Sequence, residues 1–143
     1  MTIIRKIRYT DYYKFYMELI NTFTRIPVSI SYDEFCNGID DIDKQNSHIY
    51  VIEEEGIIIG TMKVFIEHKL HNNLRPVAHI EDVVIHQKYR KQGLGTLLIE
   101  YAKDVAKSHN CYKTILACNK VNVEFYKSRG FIEKGTEMTI YNS

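Results

Sequence analysis

Arg90, Gly93 and Gly95, within Arg90-Lys91-Gln92-Gly93-Leu94-Gly95, have a spacing that points to anion binding. Glycines let a backbone approach a ligand closely. The first N–H groups of a helix have no intrahelical partner and carry partial positive charge. A glycine turn at such a helix start is an anion cradle, suited to a phosphate or pyrophosphate. Lys88, Arg90 and Lys91 add full charges beside it. Gly-x-Gly also serves as a bare tight turn, so the glycines alone leave both readings open. The P-loop needs Gly-x-x-x-x-Gly-Lys-Ser/Thr, which is absent; the dinucleotide fingerprint needs a third glycine where this chain has Leu98. Just upstream stand two carboxylates, Glu81 and Asp82, able to hold hydroxyl or amine groups or to pair with the basic surface. Adjacent strand residues point to opposite faces, so these two are not expected to work as a pair.

The turn must be held by the elements on either side. Val83, Val84 and Ile85 form an apolar run that reads as a strand. Leu97, Leu98, Tyr101, Ala102, Val105 and Ala106 recur at helical spacing, with Glu100, Lys103, Asp104 and Lys107 on the other side. The stretch therefore reads strand, glycine turn, amphipathic helix.

Arg90-x-x-Gly93-x-Gly95, placed after a strand and before a helix, resembles the acetyl-CoA signature of the GNAT N-acetyltransferases. Longer strings resemble the eukaryotic glucosamine 6-phosphate N-acetyltransferases: His79-Ile80-Glu81-Asp82-Val83-Val84, Cys111-Tyr112-Lys113, Asn122-Val123-Glu124-Phe125-Tyr126, Gly130-Phe131 and Glu137-Met138. They occur in that family's order and cover roughly residues 79 to 141.

The resemblance implies a GNAT α/β fold, with a mixed central sheet splayed at the acetyl-CoA site and about four flanking helices. It implies an acetyl-CoA-dependent enzyme that makes N-acetylglucosamine 6-phosphate for UDP-N-acetylglucosamine synthesis, with no metal. The pantetheine arm would pair with Val83, Val84 and Ile85. The pyrophosphate would lie on Arg90, Lys91, Gln92, Gly93, Leu94, Gly95 and Thr96. Asn122, Tyr126, Lys127 and Ser128 would complete the cofactor side, with Tyr126 donating to the departing sulfur. Thr24, Lys69, His71, Glu81, Asp82, Val83, Tyr112 and Lys113 fall at positions that touch the sugar phosphate. Two positions depart from the family. Ala117 replaces an acid, and Tyr141 replaces an arginine that binds sugar phosphate across a dimer interface. Another amine acceptor (a different amino sugar, a polyamine or a protein N-terminus) therefore stays open, as does a non-catalytic CoA-binding module.

The chain has 143 residues, 45% of them hydrophobic, enough for one domain spanning residues 1–143. No apolar run reaches the roughly eighteen residues of a membrane span, and the N-terminus lacks the apolar stretch of a signal peptide. Three widely spaced cysteines without a C-x-x-C pair disfavour structural zinc and fit a reducing cytoplasm. A net charge of +1 argues against a nucleic-acid binder. The charge is uneven. Residues 1–60 hold 6 Lys/Arg against 10 Asp/Glu, and residues 61–143 hold 13 against 8. The basic excess thus lies with the glycine turn, where a polyanion such as CoA would bind.

Taken in order, residues 2–8 read as a strand, and Thr10 or Asp11 as the cap of a helix running from Tyr12 to Phe23. Ser31 and Glu34 form a capping box for a short second helix, followed by a polar loop over residues 38–47. His48–Glu53 and Ile57–Ile66 read as a hairpin around Glu54-Glu55-Gly56, and 67–77 as a loop. Lys113–Cys118 reads as a buried strand and Val121–Ser128 as a short helix. Ile132–Lys134 and Glu137–Tyr141 read as closing strands that pair two chains at their edges, giving a homodimer as in the resembled family.

Overall fold

The structure is a computed structural model and describes residues 1–143. Five strands form one sheet in the order β1-β2-β3-β4-β5: β1 Thr2–Lys6, β2 Ser47–Glu54, β3 Ile57–Glu67, β4 Val77–Ile85 and β5 Lys113–Leu116. The first three junctions are antiparallel; β4 and β5 are parallel. A parallel pair needs a crossover connection, and α3, Leu94–Ser108, supplies it. α1, Tyr16–Ile20, and α2, Tyr32–Lys44, pack on the opposite face, while α4, Val123–Ser128, follows β5.

Strand periodicity creates two cores. Ile52, Ile59, Met62, Val64, Ile66, Ala78 and Ile80 pack on α3, and Ile49, Val51, Ile58 and Val84 pack under α1 and α2. The β2–β3 hairpin closes through Glu55 and Gly56, both at positive φ (50° and 79°), the backbone that a two-residue turn needs to match strand twist. At the rim of β1, Asp11 is fully buried (0% exposed). It accepts from both Arg5 guanidinium nitrogens at 2.9 and 2.8 Å and from the Arg8 N–H at 2.8 Å.

Several expectations need correction. The first helix is broken: a 3-10 turn covers Tyr9–Tyr13, and α1 starts only at Tyr16, after Phe15 at φ 71°. The Lys14 carbonyl turns aside to accept the Ile58 N–H at 2.9 Å, so tertiary pairing overrides the helical period. Neither Thr10 nor Asp11 caps α1; Asp11 bonds back to Arg8 instead. The expected loop over 38–47 is helix as far as Lys44. Phe35, Ile39 and Ile42 form its inner stripe, and the aspartates lie outside that stripe. The Ser31–Glu34 capping box is present as read, with Glu34 N–H on Ser31 Oγ at 3.1 Å and Ser31 N–H on the Glu34 carboxylate at 2.8 Å. The inner face of α3 is Leu98, Ile99, Ala102 and Ala106, rotated so that Leu97 is exposed.

The last strand stops at Leu116 and alternates between half-buried and exposed residues, where a fully buried strand to Cys118 was expected. Ile132–Lys134 and Glu137–Tyr141 form no strand. A strand exists only where its backbone groups find partners, and the tail finds none in its own chain. Met138 and Tyr141 stay 90% and 77% exposed.

Candidate active site

The site begins with an interruption of β4. Thr61 pairs with Val84 and Lys63 with Glu81, so Asp82 and Val83 together oppose the single residue Met62. This is a β-bulge, which bends a strand and re-aims its side chains. Asp82 takes the left-handed conformation, φ 56°, that lets the bulge form. The expectation that Glu81 and Asp82 face opposite ways holds for regular strands and fails here. Both carboxylates face the Lys63 ammonium, at 3.4 and 3.8 Å, and both line one cleft.

On its other side β4 pairs with β5 only from Val77–Lys113 to Ile80–Leu116. Beyond Ile80 the two strands part, and the edge of β4 from Glu81 to Ile85 has no β5 partner. The sheet is splayed at this point, as the resemblance implied. An extended acyl or amide chain can pair with such an edge.

At the end of β4 the chain makes a 3-10 turn, Gln87–Tyr89, and the Arg90 Nε donates to the Ile85 carbonyl at 3.0 Å. Lys91 (φ 63°) and Gly93 (φ 82°) both lie in left-handed space. Gly93 is the N-cap of α3, and the helical ladder starts with Leu97 N–H on the Gly93 carbonyl at 3.1 Å. The N–H groups of Leu94, Gly95 and Thr96 therefore lie outside the ladder. A Cβ on Gly93 would meet nothing within 4 Å, so the turn is open above it; one on Gly95 would lie 3.5 Å from the Phe125 ring.

Between the parted strands lies a cleft of about 250 Å³, walled by Phe23, Ile80, Glu81, Asp82, Val83, Leu116, Ala117, Cys118, Asn119, Asn122 and Tyr126. Tyr126 is held edge-on by Phe125 (5.1 Å between centroids) and Phe131 (5.9 Å). Burial, with a smaller effect from Cys118, raises its phenol above the ordinary tyrosine range. The phenol therefore stays protonated at neutral pH and can donate. The Thr24 hydroxyl, beside Phe23, is buried and has no hydrogen-bond partner.

The cleft thus gathers Glu81, Asp82, Val83, Asn122 and Tyr126 from the candidates read in the sequence. Val84 and Ile85 continue the open edge. Arg90, Lys91, Gln92, Gly93, Leu94, Gly95 and Thr96 make the turn, and Lys127 and Ser128 close α4. Lys69, His71, Tyr112 and Lys113 lie elsewhere. Lys113 pairs with Val77 at the far end of β4, four residues from Glu81 or roughly 13 Å along the strand. Lys69 binds Glu67 at 3.0 Å, His71 contacts Asn72, and Tyr112 lies under Arg75. Sequence reasoning missed Phe23, Leu116, Cys118 and Asn119 as walls. Phe23 sits in the helical pattern that reads as core, and the end of β5 is where the other three lie.

Residues 10–131 match the acetyltransferase (GNAT) family. A glucosamine 6-phosphate N-acetyltransferase of Arabidopsis thaliana is 37% identical over 96% of this chain and 95% of its own length. One from Dictyostelium discoideum is 32% identical over 96% and 88%. The crystal structure of the Arabidopsis thaliana enzyme superposes with a TM-score of 0.94 at 35% identity, covering 100% of this chain and 99% of the other. The split sheet, the glycine turn and these likenesses agree: the chain belongs to the GNAT acetyltransferase family, in its glucosamine 6-phosphate N-acetyltransferase branch.

Proposed function

We propose that this acetyltransferase uses acetyl-CoA to acetylate the amine of glucosamine 6-phosphate, giving N-acetylglucosamine 6-phosphate for UDP-N-acetylglucosamine synthesis. The observation that carries the reading is one continuous path: the open amides at Gly93–Thr96, the unpaired edge of β4, and Tyr126 in the cleft between the strands. The residues suit acetyl-CoA. Backbone amides and the cations Lys88, Arg90 and Lys91 would hold a pyrophosphate, and Val83–Ile85 would pair with the amides of its arm. Lys127 and Ser128 follow Tyr126 at the end of α4. When bound, acetyl-CoA supplies an acetyl group activated as a thioester.

The chain's own groups then divide the work. Glu81 and Asp82 attract the acceptor's ammonium and hold it at the bulge; Thr24, next to the cleft wall Phe23, has an unused hydroxyl. The held ammonium would first give one proton to solvent; the neutral amine would then form the nitrogen–acetyl bond as the carbon–sulfur bond breaks, its second proton leaving for solvent while Tyr126 gives its proton to the departing sulfur and takes one back from solvent. The phenol carries its proton at neutral pH, and burial extends that protonated form to higher pH. Positioning and donation, without a strong general base, carry the reaction.

The protein also fits a homodimer. Lys113 lies roughly 13 Å along the strand from Glu81, and Lys69, His71 and Tyr112 are not among the cleft walls, so one chain does not line its own cleft with these groups. Phe65, His79 and Ile115 align across β3, β4 and β5 on a sheet face outside both cores, and the tail with Ile132, Met138 and Ile140 is exposed. A second copy covers this face and brings those four residues to the phosphate. Three unpaired thiols, Cys36, Cys111 and Cys118, fit a reducing cytoplasm.

The test is steady-state thiol release from acetyl-CoA with glucosamine 6-phosphate, glucosamine, spermidine and a peptide N-terminus. The expected result is the highest kcat/KM for glucosamine 6-phosphate. No turnover of it, with another amine reacting, rejects the substrate; no turnover of any amine, with CoA bound, favours a binding module.

A further inference from the structure

Lys63 lies on β3 directly across from Glu81, and a cross-strand pair of this kind on an exposed face is ordinarily worth little. The bulge changes its meaning. Asp82, turned by its positive φ, presents a second carboxylate to the same ammonium, so one lysine serves two acids that a regular strand would separate. Lys63 is only a quarter exposed (25%) and does not itself line the cleft, whereas both acids do. The next acid along β3, Glu67, is held by Lys69 and by His79 and adds no free charge to this end.

We infer that Lys63 is a positioning and specificity-determining residue of the acceptor site. It fixes Glu81 and Asp82 toward the cleft and reduces their combined charge from two negatives to one. A mouth with one net negative charge accepts one ammonium and tolerates an anionic group on the same molecule. With two, it would favour a polycation and repel a phosphate. Lys63 thus selects a monoamine bearing an anion over a polyamine. The inference rests on the acetyltransferase reading of the cleft.

The test compares wild type, Lys63→Met and Lys63→Arg in steady-state acetylation of glucosamine 6-phosphate and of glucosamine, with spermidine as a competitive inhibitor. Lys63→Met raises the KM for glucosamine 6-phosphate about tenfold and leaves kcat within about twofold, the pattern of lost ground-state binding. It affects glucosamine less, tightens spermidine, and leaves the melting temperature unchanged; Lys63→Arg restores the KM. An unchanged KM in Lys63→Met, or an equal loss with glucosamine and its phosphate, overturns the inference while the function reading stands. A wild type that acetylates other amines but not glucosamine 6-phosphate overturns the function reading, and this inference with it.

Discussion

β4 makes two ladders, and they end differently. Toward β3 it stays paired from Val77–Glu67 to Ile85–Gly60, with a single bulge; toward β5 it pairs over four residues and stops at Ile80–Leu116. The closed side belongs to a sheet sandwiched between two cores, where Ile58, Ile59, Val64 and Ile80 are buried. The open side holds the cleft and Tyr126. One strand thus has a packed edge and an open one.

The largest effect should come from breaking the buried ion pair at the rim of β1, outside the cleft. Asp11→Ala removes a fully buried partner of Arg5 and should cost about 3 kcal/mol, the low end for breaking a buried pair, because Glu53 still holds Arg5 at 2.9 Å. Denaturant unfolding should show that loss while the remaining folded molecules keep their KM for acetyl-CoA. Breaking the open side should do the reverse. Tyr126→Phe should lower kcat about a hundredfold with an unchanged melting temperature; unchanged turnover would remove the phenol from the reaction.

The pH dependence sharpens the same contrast. Because burial raises the Tyr126 phenol, its donor form persists through the ordinary tyrosine range and is lost only as pH rises through the higher folded value. The Tyr126-dependent part of kcat should therefore stay level past neutral pH and fall only in strong alkali. A fall near neutrality would mean another group controls it. Smallest is Gly93→Ala. A Cβ at φ 82° costs about 1–2 kcal/mol. Because the turn is open there, the variant should fold and show a raised KM for acetyl-CoA with little change in kcat.

Local chemistry made much of this legible in advance. The Glu55-Gly56 hairpin, the Ser31–Glu34 capping box and the start of α3 at the glycine turn each depend on residues close in sequence. Most of the misreadings involve partners far along the chain. The break at Phe15 depends on Ile58, forty-four positions after Lys14. The shared orientation of Glu81 and Asp82 depends on Met62, which no local alternation reveals. In residues 38–47 the acidic solvent face masked a helix whose inner stripe is only Phe35, Ile39 and Ile42. The alternation at 132–141 reads as strand, yet no partner within the chain exists to make it one. For the site, the glycine turn carried a local signal and Tyr126 came only through the family resemblance, whereas Phe23 and Asn119 become walls only when β4 and β5 part.

The most direct test of the open edge is an amide NMR titration of the protein with CoA. The account predicts saturable shifts concentrated at Val83–Ile85, at Lys91–Thr96 and around Tyr126, with Ser47–Glu54 on the closed side nearly still. No shifts at saturating CoA, or shifts confined to the exposed aromatic surface of Tyr12, Tyr13 and Phe15, would contradict it.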